Sequence, residues 1–408
     1  MKFGLLGEKL PHTLSPKIHC EYFGLDYGKF ELSKDQLKDF FNNKNFCGIN
    51  VTIPYKETVI PFLDEVDELA KNIGAVNTVV NKNGKLIGYN TDILGLEYGL
   101  KSLKIDLFDK TIMILGSGGT SKTAKYLCQK FTNKIYVVSR NGKVNYQNCY
   151  DIDADIIINT TPVGMFPLDD NVPIDINRFS NLKGVFDAIY NPLSTKLVSN
   201  ARLKGIPAMN GLGMLVAQAV YAKDLFLAKD TDESEIDRVL KALTKSLKNI
   251  LLIGMPSSGK STVGVELAKK LNREFVDTDA VIVERHGDIP KIFANEGEIA
   301  FRSYETEVIK EVVGGFGKVI SIGGGGVIKE ENREAINRNC LVFWLKRDID
   351  KLSLTGRPLS KDKETLIKME KEREFYYSST ANFVIDNNGS LSKTLGDIEN
   401  KYEENFSN

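Results

Sequence analysis

Short apolar runs alternate along the whole chain with stretches in which apolar residues recur at helical spacing. In the first part the runs read KFGLLG, CGINVTI, TIMILG, KIYVVS, DIIINTT and GVFDAIY; in the second they read NILLIG, EFVDTD, VISIGGG, LVFWLK and NFVIDN. Such alternation predicts parallel sheets covered by helices, an α/β fold class. Between the two sets lies AKDTDESEIDRVLKALTKSLKN, which is charged and helix-prone. Asp232 to Glu235 offer a capping start, and Leu240, Leu243 and Leu247 an apolar stripe. The boundary between two domains is placed there, at about Lys245, and no internal repeat or low-complexity segment interrupts either part.

Composition changes this picture little. A chain of 408 residues exceeds what one hydrophobic core serves, so two or three domains are expected. Because 54 Lys and Arg balance 54 Asp and Glu, no nucleic-acid partner is suggested. The cysteines Cys20, Cys47, Cys128, Cys149 and Cys340 are scattered and form no CxxC pair, which argues against a disulfide framework or a zinc site and for a reducing cytoplasm. The N-terminus MKFGLLGEKLPHTLSP meets Pro11 and polar residues too early for a signal peptide. No apolar run approaches bilayer length, so a soluble, unprocessed, cytoplasmic protein without a membrane partner is expected. Nothing in the sequence speaks to oligomeric state.

Two glycine-rich loops supply the candidate chemistry. In TIMILGSGGTSKTAKYL, Gly116, Ser117, Gly118, Gly119 and Thr120 lie where a strand turns into a helix, and the missing Cβ atoms let a pyrophosphate approach free amides and the helix's positive end. Taken alone, these glycines also fit a plain strand-to-helix turn. The next strand adds weight. An NAD site expects an acidic residue at its end, whereas KIYVVSRNGK ends in Ser139, Arg140 and Asn141, which suits the 2′-phosphate of NADP. The second loop, GMPSSGKS, satisfies GxxxxGK[ST] in full between the strand NILLI and the helix TVGVELAKKL. Ser257, Ser258, Gly259, Lys260, Ser261 and Thr262 are its nucleotide contacts: backbone amides cradle phosphates, Lys260 neutralises them, and Ser261 ligates Mg²⁺.

With HTLSPKIH, GINVTIPYKE, GAVNTV, GYNTDILG, ADIIINTTPVGM, FDAIYNP and NGLGMLVAQAV in order, residues 1 to about 245 resemble shikimate dehydrogenase. The resemblance implies a substrate-binding lobe of about 1–100 with the C-terminal helices of about 211–245, and a Rossmann-like NADP lobe of about 101–210. It implies further that Thr13 and Ser15 hold the substrate carboxylate, that Thr52, Asn77 and Gln218 contact ring hydroxyls, and that Lys56 and Asp92 form the catalytic pair. Tyr190 and Gly211 then lie near substrate and nicotinamide, and Glu68 on the cofactor side. Two departures stand out: Thr13 replaces the commoner serine, and Ser-Arg-Asn at 139–141 replaces Asn-Arg-Thr, keeping the arginine. As isolated residues, Lys56 is a surface lysine, Asp92 a helix cap and Tyr190 a core aromatic; the motif contexts are what single them out.

Residues 246–408 resemble shikimate kinase, a P-loop α/β domain, through GMPSSGKS, EFVDTDAVIVERHG, EIAFRSYE, SIGGGGVI, TGRPLS and EREFYYSSTANFVID. The resemblance implies that Asp277 holds Mg²⁺, that Asp279 accepts a hydrogen bond from the attacking hydroxyl, that Arg302 and Arg373 clamp the shikimate carboxylate, that Gly324 brings backbone near the ring, and that Arg357 closes from a lid onto ATP. Only RDIDKLSLT separates FWLK from GRPL, shorter than is usual in that family and without a further arginine. The sequence therefore predicts NADPH-dependent reduction of 3-dehydroshikimate to shikimate, followed by ATP-dependent phosphorylation of shikimate. Two alternatives stay open: a quinate/shikimate dehydrogenase with a weak kinase half, and a non-catalytic sensor that keeps both folds.

Overall fold

The computed structural model describes residues 2–11, 13–352 and 362–407. Arg357 lies outside the described residues. The chain divides into two compact units, Met1–Tyr190 with Thr195–Leu243, and Asn191–Ser194 with Thr244–Asn408. The division falls inside the helix Glu233–Leu247, whose start is held by Asp232 accepting from Ser234 N at 2.9 Å. Among the described residues no helix is long and apolar enough to cross a membrane.

The first unit holds two sheets. One contains β1 (Phe3–Gly7), β2 (Tyr27–Glu31), β3 (Gly48–Val51), β4 (Glu65–Val66), β5 (Thr78–Lys82) and β6 (Lys85–Tyr89), in the order β2-β1-β3-β5-β6-β4. It is mixed rather than parallel, since β5 runs antiparallel to both β3 and β6. The cause is local. Asn83 and Gly84 sit at φ 52° and 88°, the two-residue turn whose twist suits a hairpin.

The other sheet is wholly parallel: β7 (Ile112–Leu115), β8 (Ile135–Val138), β9 (Ile156–Asn159), β10 (Gly184–Asp187) and β11 (Ala208–Met209), in the order β11-β10-β9-β7-β8. Strand order reverses at β7, which opens a crevice at the carboxyl ends of the strands, the place where such sheets take ligands. The helices Asp92–Lys101 and Leu212–Leu227 pack tightly on one another, because a Cβ on Gly95 would stand only 2.5 Å from Met214 O.

In the second unit, β12 (Asn249–Ile253), β13 (Phe275–Asp277), β14 (Val319–Ser321), β15 (Cys340–Lys346) and β16 (Phe383–Asp386) form a parallel sheet ordered β13-β14-β12-β15-β16. Its runs are apolar at consecutive positions because both faces are covered. Leu251, Ile253, Val342 and Trp344 join the core on one face, while Ile250, Leu252, Leu341 and Phe343 join the core on the other. The second glycine-rich loop leaves the carboxyl end of the central strand β12.

Candidate active sites

The first site is built where β3, β5 and the helix Asp92–Lys101 meet. Thr52 is the first residue beyond β3, and its amide donates to Leu6 O at 2.9 Å. Lys56 follows on the same loop. Its Nζ lies 2.5 Å from Asp92 Oδ2, with the two side chains 18% and 11% exposed, so the pair is shielded yet reachable. Asn77 is buried beside them and donates from Nδ2 to Asp92 Oδ1 at 2.9 Å. Both oxygens of one carboxylate are thus held by two of the sequence-predicted residues.

The orientation of the Asn77 amide is itself fixed by residues that the sequence reading missed. Asn77 Oδ1 accepts from Thr91 N at 2.7 Å and from the Thr78 hydroxyl at 3.1 Å. Behind Thr78, Asn50 Nδ2 donates to Thr78 Oγ1 at 3.2 Å, and Tyr27 donates its hydroxyl to Asn50 Oδ1 at 2.8 Å. The signal lay inside GINVT, GAVNT and GYNTD, but only strand pairing shows which of their polar residues touch. Ser15 opens a short helix beside β1 and β2; it is buried and its amide donates to Thr13 Oγ1 at 3.2 Å. Gln218 lies on the helix Leu212–Leu227 against the Asp92 helix, with its Cβ 3.1 Å from where a Cβ on Gly95 would stand, and its Nε2 donates to Leu215 O at 2.8 Å.

The first glycine-rich loop stands next to this cluster. Gly116 adopts φ 108° with Thr160 Oγ1 2.8 Å from where a Cβ would be, so only glycine fits. Ser117 follows it, and Gly118 has nothing within 4 Å on its open side. Gly119 and Thr120 begin the helix Gly119–Cys128, and the Lys56 side chain reaches to 4.0 Å from the Gly119 Cβ position. Glu57 and Lys122 pair at 2.7 Å alongside. The Lys56–Asp92 pair thereby lies beside the first glycine-rich loop.

Ser139, Arg140 and Asn141 follow β8, and the turn is closed by Ser139 N donating to Val144 O at 3.2 Å. Arg140 is exposed there. Glu68 is an exposed residue opening the short helix Glu68–Ile73. Tyr190 is half-buried after β10, and burial pushes its phenol up. Gly211 N donates to Ile189 O at 2.9 Å, and a Cβ on Gly211 would lie 2.0 Å from Ala188 O. These loops are held by Asp187, another residue the sequence reading missed. Burial pushes its carboxyl up to about 6, opposed by hydrogen bonds from Thr195, Ile189 N and Asn159.

In the second unit the loop residues Ser257, Ser258, Gly259 and Lys260 bound a cavity of about 750 Å³ that also touches Thr262, Asp277 and Asp279. Ser258 and Lys260 are buried, and Lys260 Nζ donates to Gly254 O and Met255 O at 3.1 and 3.0 Å. Ser257 and Gly259 take φ of 63° and 92°, left-handed backbone just before the helix Lys260–Leu271. Ser261 donates to Asp277 Oδ2 at 2.6 Å. A hydroxyl and a carboxylate converging there are hard oxygen donors, the chemistry that Mg²⁺ prefers.

A second cavity, about 500 Å³, adjoins the first and is lined by Asp279, Arg302, Glu305, Gly324 and Arg373. Asp279 borders both cavities. Arg302 donates to Glu305 Oε2 at 2.7 Å and to Glu298 Oε1 at 3.1 Å. Burial pushes the Glu305 carboxyl up, Arg302 draws it down, Asp279 adds to the rise, and Arg373 opposes it. The partnership was visible only as an i, i+3 spacing in FRSYE. Gly324 sits against Pro256, whose Cδ is 2.8 Å from its Cβ position, and its carbonyl accepts from the Tyr377 hydroxyl at 2.6 Å.

Both halves of the chain are similar to known proteins. A family model described as shikimate dehydrogenase substrate binding domain matches residues 5–79, and one described as shikimate kinase matches residues 256–402. The shikimate dehydrogenase (NADP(+)) of Clostridium beijerinckii is 38% identical over 246 residues, which cover 55% of this chain and 91% of that protein. A chorismate mutase/shikimate 5-dehydrogenase fusion protein from Clostridium acetobutylicum is similar in structure, with a TM-score of 0.56 and 35% identity over 59% of this chain and 96% of that one. The shikimate 5-dehydrogenase of Thermus thermophilus, crystallised with NADP(H) and shikimate, matches with a TM-score of 0.52 and 28% identity over 59% of this chain and 98% of its own.

Proposed function

This chain belongs to the shikimate dehydrogenase family and carries a shikimate kinase domain behind it, and from that premise we propose that it catalyses two consecutive reactions. The first reduces 3-dehydroshikimate to shikimate with NADPH; the second phosphorylates that shikimate at its 3-hydroxyl with ATP. One observation carries the reading. In each unit a nucleotide loop adjoins a cluster of polar residues, and a proton-handling side chain stands at the junction, Lys56 beside Gly119 and Asp279 between two cavities.

In the first site Thr13 and Ser15 bind the substrate carboxylate, and Thr52, Asn77 and Gln218 bind its hydroxyls. NADPH supplies the hydride. Lys56 donates a hydrogen bond or proton to the carbonyl oxygen as negative charge builds on it, and Asp92 keeps the lysine aimed. Arg140 binds the 2′-phosphate, Glu68 lies on the cofactor side, and Tyr190 and Gly211 bound the nicotinamide end.

In the second site Arg302 and Arg373 bind the shikimate carboxylate, and the close approach of Gly324 lets the ring lie against backbone. Glu305 orients Arg302. Asp279 accepts the proton of the attacking hydroxyl. Ser257 to Thr262 hold the phosphates of ATP, and Lys260 offsets their charge. Mg²⁺ bound at Ser261 and Asp277 would neutralise developing charge on the transferred group. The five cysteines are all free, which suits a cytoplasmic setting.

The test is initial-rate kinetics of the purified chain with 3-dehydroshikimate or quinate as carbon substrate and NADP(H) or NAD(H) as cofactor. The account expects 3-dehydroshikimate with NADPH to be preferred by at least tenfold in kcat/KM. Preference for quinate with NAD would replace it with the alternative dehydrogenase reading, and no turnover with any pair would favour a sensor.

A further inference from the structure

We infer that Arg347 is a nucleotide-binding residue of the kinase half, placing its guanidinium on the α-phosphate end of ATP. The inference rests on the reading that ATP occupies the cavity beside the phosphate loop. Strands β15 and β16 pair with Lys346 opposite Asp386, so Arg347 and Asn387 leave the sheet side by side at the carboxyl edge where the loop lies. Asn387 is buried and clamps the loop from behind, donating from Nδ2 to Ser258 O at 2.6 Å while its Oδ1 accepts from the Thr394 hydroxyl at 2.7 Å. Arg347 lies alongside, with Nη1 3.5 Å from the position a Cβ on Gly259 would take.

Its electrostatic setting is unusual for an arginine. Arg347 Nε is buried with no hydrogen-bond partner, and among the described residues the side chain has no acidic partner. It lines the cavity of the phosphate loop, where Lys260 and Arg347 are the cations and Asp277, Asp279 and Glu284 the anions. Lys260 reaches back to the start of the loop at Gly254 and Met255, and Arg347 stands at its other end, by Gly259. Loop amides of this type cradle the α- and β-phosphates, and the loop lysine reaches the β- and γ-phosphates. A guanidinium fork at the Gly259 end therefore faces the α-phosphate, where it forms charge-assisted hydrogen bonds.

The test is calorimetric titration of the full chain with ADP and Mg²⁺, in wild type and in R347A, R347Q, R347K and K260A. K260A assigns the heat to the phosphate loop, separating it from nucleotide bound in the dehydrogenase half. Wild type should bind ADP, K260A should abolish that heat, R347A and R347Q should weaken it at least tenfold, and R347K should recover part of the loss. Shikimate binding, followed by the fluorescence of the sole tryptophan, Trp344, should stay within twofold in R347A. R347Q keeps the side-chain length should R347A fail to fold. ADP binding within twofold of wild type in R347A and R347Q would overturn the assignment, as would equal weakening of ADP and shikimate. Absence of any ADP heat removed by K260A would instead overturn the ATP reading, and this proposal with it.

Discussion

Asp92 has both oxygens engaged, by Lys56 and by Asn77, and the Asn77 amide is in turn held by Thr78 and Thr91, so the direction of the proposed catalytic lysine depends on residues set behind the pair. Thr78 is the most informative of these. Removing its hydroxyl leaves the Asn77 amide with one fewer restraint on its orientation. T78V should lower dehydrogenase kcat at least tenfold with a smaller change in KM, T78S should restore it, and the stability cost should be about 1–2 kcal/mol. A kcat within twofold of wild type would show that the amide is fixed without Thr78.

His19 makes a second prediction at this scale. It is fully buried against Tyr27 with neither ring nitrogen hydrogen-bonded, and burial, aided by Lys223, lowers its pKa from 6.5 to about 3. A base whose folded pKa is depressed costs stability as pH falls below its unfolded value, because the unfolded chain takes up the proton first. Between pH 7.5 and pH 5 the loss from this group is about 2 kcal/mol. H19F should therefore flatten the acid limb of a denaturant-stability profile, and an unchanged slope between those pH values would contradict the assignment.

Among the elements, those covered on both faces were legible: β12, β14 and β15 of the second unit, and β7, β9 and β10 of the first, appear as continuous runs. The strands not read from the sequence lie at sheet edges, as β2, β4 and β11 do, or in the β5–β6 hairpin. β4 and β11 are two residues long and β2 is half-exposed, so these three carry little signal, whereas the edge strands β8, β13 and β16 keep enough apolar residues to be read; the hairpin was signalled only by Asn83-Gly84. The same limit applied to the sites. Lys56, Asp92, Lys260 and Asp279 sit in motifs of fixed spacing, whereas Thr78, Glu305 and Asp187 matter through partners brought close by folding. At the junction after β10, Gly211 must approach Ala188 O. G211A should force the start of the helix Leu212–Leu227 away from β10, costing about 2 kcal/mol and raising the KM for NADPH. A wild-type melting temperature and KM would show that this approach is relaxed at no cost.

At the scale of the molecule, each unit contains its own sheet core and its own set of candidate catalytic residues. The two chemistries should therefore be separable by point substitution in the intact chain. K56A should lose the reductive step by at least a hundredfold yet phosphorylate added shikimate at the wild-type rate. K260A should do the reverse. Loss of both activities in either variant would show that the sites are coupled.

The most direct measurement supplies the purified chain with 3-dehydroshikimate, NADPH and Mg-ATP, and follows the products by mass spectrometry while omitting one nucleotide at a time. The account predicts shikimate alone without ATP, shikimate 3-phosphate with both nucleotides, and neither product without NADPH. Phosphorylated product without NADPH, or no phosphorylated product with both nucleotides present, would contradict the two-step account.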